Sequence, residues 1–227
     1  LKAGPGRERR VSLYTENRVK IVVDGVTGVG KSSLVRIISE EMGFRPFDEM
    51  FDDEYRLLHK FFHDREKWAF AMQVNFLTNR FKQYKHAMKV GKAVMDRSIY
   101  SDRIFALMYL NHKYLSPEEY AVYNNLLNTF LDHVRPPQLM VYLRVNTDEA
   151  IRRIHRRGRP DEIEVEREYW DMLNQFYENN YQDYRLGQLL VLNVDHLDYV
   201  HKANDRQFMV EEITQALGAT VKRAVSP

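Results

Sequence analysis

The chain of 227 residues contains no cysteine, which excludes a disulfide framework and any thiolate metal site. That suits a reducing compartment, and the expected location is cytoplasmic. No stretch approaches the roughly 20 consecutive apolar residues that a membrane helix needs. The first residues also lack the apolar core of a secretory signal, so no membrane partner is expected. A strong basic excess is missing as well. The formal net charge is +2, and residues 1–20 hold six basic and two acidic groups, which leaves 28 basic and 30 acidic groups, a net −2, over the rest. Nucleic-acid binders usually carry a basic face, so no nucleic-acid partner is expected. Internal repeats and low-complexity tracts are absent too.

What remains is ordinary globular material, 44% hydrophobic and 29% charged, enough for one well-buried domain. Residues 1–18, with Gly4, Pro5 and Gly6 and no apolar periodicity, read as a flexible leader. An arginine-rich targeting remnant is the alternative. Residues 19–227 read as a single domain.

Apolar runs at 19–24, 44–47, 93–96, 139–145 and 189–194 read as strands. Helical patterns fill 31–42, about 53–63, 66–89, the stretch to about 111, 116–133, a segment from Thr147, about 164–183 and about 206–217, with 157–163 as a charged loop. Gly43 stops the first helix, and Ser116-Pro117-Glu118-Glu119 is a helix start with a capping box. Strands alternating with helices predict an α/β fold with a five-stranded parallel sheet flanked by helices. Ligands of such sheets sit beyond the carboxyl ends of the strands. That rule singles out Gly25–Ser33, Glu49 and Asp96-Arg97.

Three pieces carry chemistry. Gly25-Val26-Thr27-Gly28-Val29-Gly30-Lys31-Ser32, followed by Ser33, fits the phosphate-binding loop pattern at every fixed position. Its glycines let backbone amides turn toward phosphate oxygens, the following helix adds its positive end, Lys31 can reach the outer phosphates, and Ser32 can coordinate Mg²⁺. Asp96 at a strand end can also hold Mg²⁺, and the adjacent Arg97 can grip a transferring phosphoryl group. Residues 152–159 contain five arginines, of which Arg153 and Arg157 are four apart on one helical face and Arg159 lies just past Gly158. Such a cluster can neutralise charge building on phosphates; a solvated surface or an RNA patch is the bland alternative.

With these pieces in order, the chain resembles the deoxynucleoside kinase family, closest to the bacterial deoxyadenosine/deoxyguanosine kinases. The likeness runs from about Val19 to Val194. It rests on GVTGVGKSS, FDEMFDD, AMQVNFLTNRFKQ, MDRSIYSDRIFA, YLRVNTDEAIRRIHRRGRPDE and EREYW. The resemblance implies a P-loop kinase fold with an arginine-rich lid at about 153–163. It implies transfer of the γ-phosphate of ATP, with Mg²⁺, to the 5′-hydroxyl of a deoxynucleoside, by a homodimer joined through helices after the second and third strands. Apolar residues on 66–77 and 103–110 are compatible with that face or with core.

Residue by residue, it implies that Glu49 takes the hydroxyl proton and that Arg97 lies near the 5′-oxygen, with Lys31 as the third catalytic group. Gln73 would hydrogen-bond the nucleobase, Arg80 and Asp102 would sit beside it, and Phe105 would stack on it. Arg153, Arg157 and Arg159 would be lid arginines toward ATP, and Glu162 would meet the 3′-hydroxyl. One departure concerns the sugar: the family's tyrosine eleven residues before the base-binding glutamine is here Phe62, with Tyr55 as a substitute in a different register. An Arg80–Asp102 pair implies a purine deoxynucleoside as best substrate, deoxycytidine next and thymidine poor. A nucleoside monophosphate kinase of the thymidylate kinase type is the main competing reading. Its acceptor would require basic groups near 45–55, a segment that offers mostly acids. A non-catalytic kinase-fold subunit is the other.

Overall fold

A computed structural model describes residues 18–49 and 55–223. The expected leader, apart from Arg18, lies outside them, as do Met50, Phe51, Asp52 and Asp53 of the FDEMFDD motif.

Five short strands form one parallel sheet: β1 Ile21–Asp24, β2 Arg45–Phe47, β3 Ala93–Asp96, β4 Leu139–Arg144 and β5 Gln188–Asn193, in the order β2-β3-β1-β4-β5. Val22 aligns with Met95 on one side and with Met140 on the other. Every residue of β1 and β3 is buried. That is why these strands are continuous apolar runs rather than alternating ones.

Nine helices occur among the described residues: α1 Lys31–Met42, α2 Leu57–His63, α3 Arg65–Val90, α4 Asp102–Asn111, α5 Pro117–Leu131, α6 Thr147–Arg157, α7 Pro160–Ile163, α8 Arg167–Gln182 and α9 Ala203–Arg223. α1 and α9 pack on the sheet and on each other. α3 packs on β2 and β3, α4 and α5 pack on α3, and α8 lies against α4. Strand ends match the expected positions within a residue or two. The expected charged loop at 157–163 is in part helical. Gly158 ends α6 in the left-handed region, and one further turn, α7, then starts at Pro160. A proline in the first turn followed by two acids favours that turn. Most apolar residues of 103–110 are core: Ile104, Phe105, Ala106, Met108 and Tyr109 are buried within the chain, while Leu107 and Leu110 are partly exposed.

Candidate active site

The turn between β1 and α1 is forced by its neighbours. Gly30 caps α1 with φ of 109°, and a Cβ there would fall 2.1 Å from the Tyr199 hydroxyl. A Cβ on Gly28 would fall 2.6 Å from the Ala150 carbonyl. Both positions therefore exclude side chains. Lys31 is buried and donates to the carbonyls of Gly25 and Val26, each at 3.0 Å. Burial, then the Arg97 guanidinium, push its ammonium down to about 8, against the pull of Asp96, Glu49 and Asp24. The ammonium thus lies in a site where a further anion is electrostatically favoured.

Two carboxylates stand beside this turn. Asp96, at the end of β3, accepts from the Ser32 hydroxyl at 2.5 Å through one oxygen, while its buried Oδ1 has no hydrogen-bond partner among the described residues. Burial raises its proton affinity. A hydroxyl paired with a half-satisfied carboxylate is a donor set that fits Mg²⁺ when phosphates complete the shell. No cluster of three or more metal-binding side chains exists among the described residues.

Glu49 follows β2. Its Oε1 accepts from Arg80 Nη2 at 2.6 Å and from Arg97 Nη1 at 3.2 Å. Burial alone would raise its pKa, but Arg97, then Arg80 and Lys31, outweigh this and hold it at about 2. Arg97 sits in the left-handed region with φ of 64°, and its amide donates to Val23 across the sheet at 2.8 Å. Strained backbone of this kind persists where the surroundings over-determine it. Here Glu49 holds the Arg97 side chain on one side and the Asp24 carboxylate lies 3.9 Å away on the other, with the guanidinium 5.0 Å from the centre of the Phe105 ring.

A cavity of about 710 Å³ opens in front of the turn. Gln73, Arg80, Phe62 and Phe105 line its inner part, and Gln73 Oε1 is buried with no partner among the described residues. Gln73 and Arg80, seven apart on α3, are both buried rather than solvated. Asp102 is fully buried behind the cavity, in an ion pair with Arg80. Tyr55, by contrast, is 59% exposed.

The arginine-rich segment divides. Arg157 and Arg159 both pair with Glu162 at the cavity's mouth. Arg153 is instead tied down, donating to the carbonyls of Val29 at 2.9 Å and Val194 at 2.7 Å while paired with Glu149. It braces the phosphate-loop turn against the end of β5.

Some site residues went unsingled in the sequence. Asp24 is fully buried at the end of β1, accepting from the Gly25 amide and the Tyr181 hydroxyl, both at 2.7 Å. Residues 195–200, after β5, line the cavity together with Tyr109 and Tyr169, whose hydroxyls lie 3.0 Å apart. The strand-end rule that points to Glu49 points equally to 195–200. The two tyrosines carry no such signal, because only folding brings α4 and α8 together.

A family model described as deoxynucleoside kinase matches residues 21–218. The deoxyadenosine/deoxycytidine kinase of Bacillus subtilis is 32% identical over 208 residues, covering 89% of this chain and 95% of that protein. The deoxyguanosine kinase of Lactobacillus acidophilus is 34% identical over 206 residues, covering 87% and 90%. Among solved structures, the deoxyadenosine kinase of M. mycoides with dCMP and dCDP bound matches with a TM-score of 0.76 at 29% identity, over 88% of this chain and 99% of that one.

Proposed function

Because this chain belongs to the deoxynucleoside kinase family and is a phosphotransferase, we propose that it transfers the γ-phosphate of ATP to the 5′-hydroxyl of a purine deoxynucleoside in nucleotide salvage in the cytoplasm, as a homodimer. The observation that carries this reading is the position of the Glu49 carboxylate. It shares Arg97 with the phosphate loop, for Arg97 Nη1 lies 3.2 Å from Glu49 and Nη2 lies 3.5 Å from the Gly25 carbonyl.

The loop from Gly25 to Ser33, with Val26, Thr27, Gly28, Val29 and Gly30 between, supplies amides to the polyphosphate, and Lys31 supplies charge. Ser32 and Asp96 would hold Mg²⁺, which neutralises phosphate charge when bound. Glu49 accepts the 5′-hydroxyl proton, and Arg97 steadies the reacting oxygens. Arg157 and Arg159 reach the phosphates once Glu162 turns to the 3′-hydroxyl, and Arg153 holds the loop from behind. Gln73 and Arg80 meet the base edge, Asp102 orients Arg80, and Phe105 and Phe62 form apolar walls.

In this mechanism Glu49→Gln lowers kcat by about 10²–10⁴, the usual contribution of a general base, and leaves ATP binding unchanged. A single-turnover assay beside a calorimetric ATP titration checks both; an undiminished rate rejects Glu49 as the base. The substrate reading has support in the activities for which the relatives are named, those of deoxyadenosine, deoxycytidine and deoxyguanosine kinases. Sites built to hydrogen-bond a group discriminate strongly against analogues that lack it. Across four deoxynucleosides with ATP and Mg²⁺, deoxyadenosine or deoxyguanosine is expected to give the highest kcat/KM, deoxycytidine less and thymidine least. Thymidine turning over fastest ends this claim.

A further inference from the structure

Arg80 and Arg97 both bind the same oxygen of Glu49, and the Arg80 bond is the shorter, 2.6 Å against 3.2 Å. Arg80 also lines the cavity where Gln73 Oε1 has no partner among the described residues. Its own Nε is buried and likewise without a partner there. The residue that faces the ligand is therefore the residue that grips the carboxylate.

We propose that Arg80 keeps Glu49 in reserve until a nucleobase arrives, when an acceptor on the base edge takes over the Arg80 hydrogen bond and frees the carboxylate for the 5′-hydroxyl. This rests on Glu49 being the base. Asp102, fully buried and paired with Arg80, keeps the guanidinium in the pocket while it exchanges partners. The charges around Glu49 give the exchange a purpose. Arg97 from the end of β3, Arg80 from α3 and Lys31 from the head of α1 stabilise its charged form. Asp96 on β3 and Tyr177 on α8 also couple to it. Three cations make the carboxylate a poor proton acceptor, and a general base works best when its affinity lies nearer the operating pH. Removing one neighbouring cation raises a carboxylate's pKa. Base recognition then appears in kcat, not only in KM, the signature of binding energy used to assemble the catalytic site.

The test compares deoxyadenosine with 1,2-dideoxyribose, which offers a 5′-hydroxyl and no base. In the wild type, saturating deoxyadenosine is expected to give a kcat at least about threefold higher, the Brønsted effect of raising a base's affinity by about one unit. In Arg80→Met the ratio is expected to fall toward one while KM for deoxyadenosine rises. A ratio unchanged by Arg80→Met overturns the proposal and leaves Arg80 a binding residue. Should loss of its partner leave Asp102 unfolding the single variant, R80M/D102N removes both charges and carries the same expectation. The wild type gives an independent reading. The acid limb of kcat with deoxyadenosine is expected at higher pH than the acid limb of kcat/KM, because the free enzyme keeps Arg80 on Glu49; coincident limbs overturn the proposal. A wild-type rate in Glu49→Gln would instead remove the base assignment itself, a result separable from all of these.

Discussion

Lys31 is where burial and charge oppose each other most directly. Its pKa falls from 10.5 to about 8 in the folded chain. Below about 8 both folded and unfolded chains hold the proton, and the cost of burying the ammonium is fully present. Between about 8 and 10.5 only the unfolded chain keeps it, so the Lys31 contribution to stability rises with pH across that window. A polyphosphate beside the amine reverses the shift. ATP binding at about pH 8.5 is therefore expected to take up a proton, visible as a binding enthalpy that varies with the buffer's ionisation heat, and Lys31→Met should abolish that dependence. Glu49 shares that direction at lower pH, although there it is the charged form that the fold stabilises. Depressed from 4.5 to about 2, its contribution is present above the unfolded value and is lost as pH falls through that interval. Among single residues, Lys31, Ser32 and Arg97 were legible in the sequence because motif spacing fixes them. Asp24 was not, since a carboxylate closing a buried strand looks like any turn residue until Tyr181 and Arg97 are seen against it.

At the scale of elements, caps and stops explain most boundaries. α5 begins with a reciprocal capping box: the Glu119 amide donates to the Ser116 hydroxyl at 3.1 Å, and the Ser116 amide donates to the Glu119 carboxylate at 2.8 Å. Ser116→Ala is expected to lower stability by about 0.5–2 kcal/mol in urea unfolding with kcat unchanged, because α5 contributes nothing to the cavity lining. A large fall in kcat would mean that α5 positions the site. The segment after α6 was harder to read. Its charge density signals a loop, yet Pro160 with Asp161 and Glu162 seeds the single turn of α7. That turn meets α2 through the His59–Asp161 contact at 3.3 Å, and the Glu166 carboxylate just before α8 grips Arg65 at the head of α3. These links close over the cavity from residues about a hundred positions away, a separation that local spacing does not encode.

In the whole molecule, the strand order sets the chemistry. β1 lies between β3 and β4, so the phosphate loop has Asp96 and Arg97 on one side and the α6 arginines on the other. The proposed homodimer belongs to this scale. Most of the apolar stripe on 103–110 is spent on the chain's own core, so an interface through the helices after β2 and β3 would draw on Leu107 and Leu110 of α4 and on what α3 and α5 leave partly open. Phe81 and Phe130 stack there at 4.2 Å between ring centres, and Val122 is 58% exposed. Sedimentation velocity is expected to show a dimer that Val122→Glu with Phe81→Glu weakens; a monomer at micromolar wild-type concentration rejects this part of the proposal.

The sequence by itself determined the sheet class, the phosphate loop and the strand-end residues, because buried parallel strands are apolar runs and a glycine turn ahead of a helix dipole has a fixed spacing. Tertiary structure alone decided that Arg80 reaches Glu49, that Arg153 braces the loop instead of standing free, and that residues 195–200 with Tyr109 and Tyr169 complete the cavity walls. Those outcomes depend on side chains far apart along the chain competing for the same oxygens in one enclosed space, and the competition exists only after the strands are ordered.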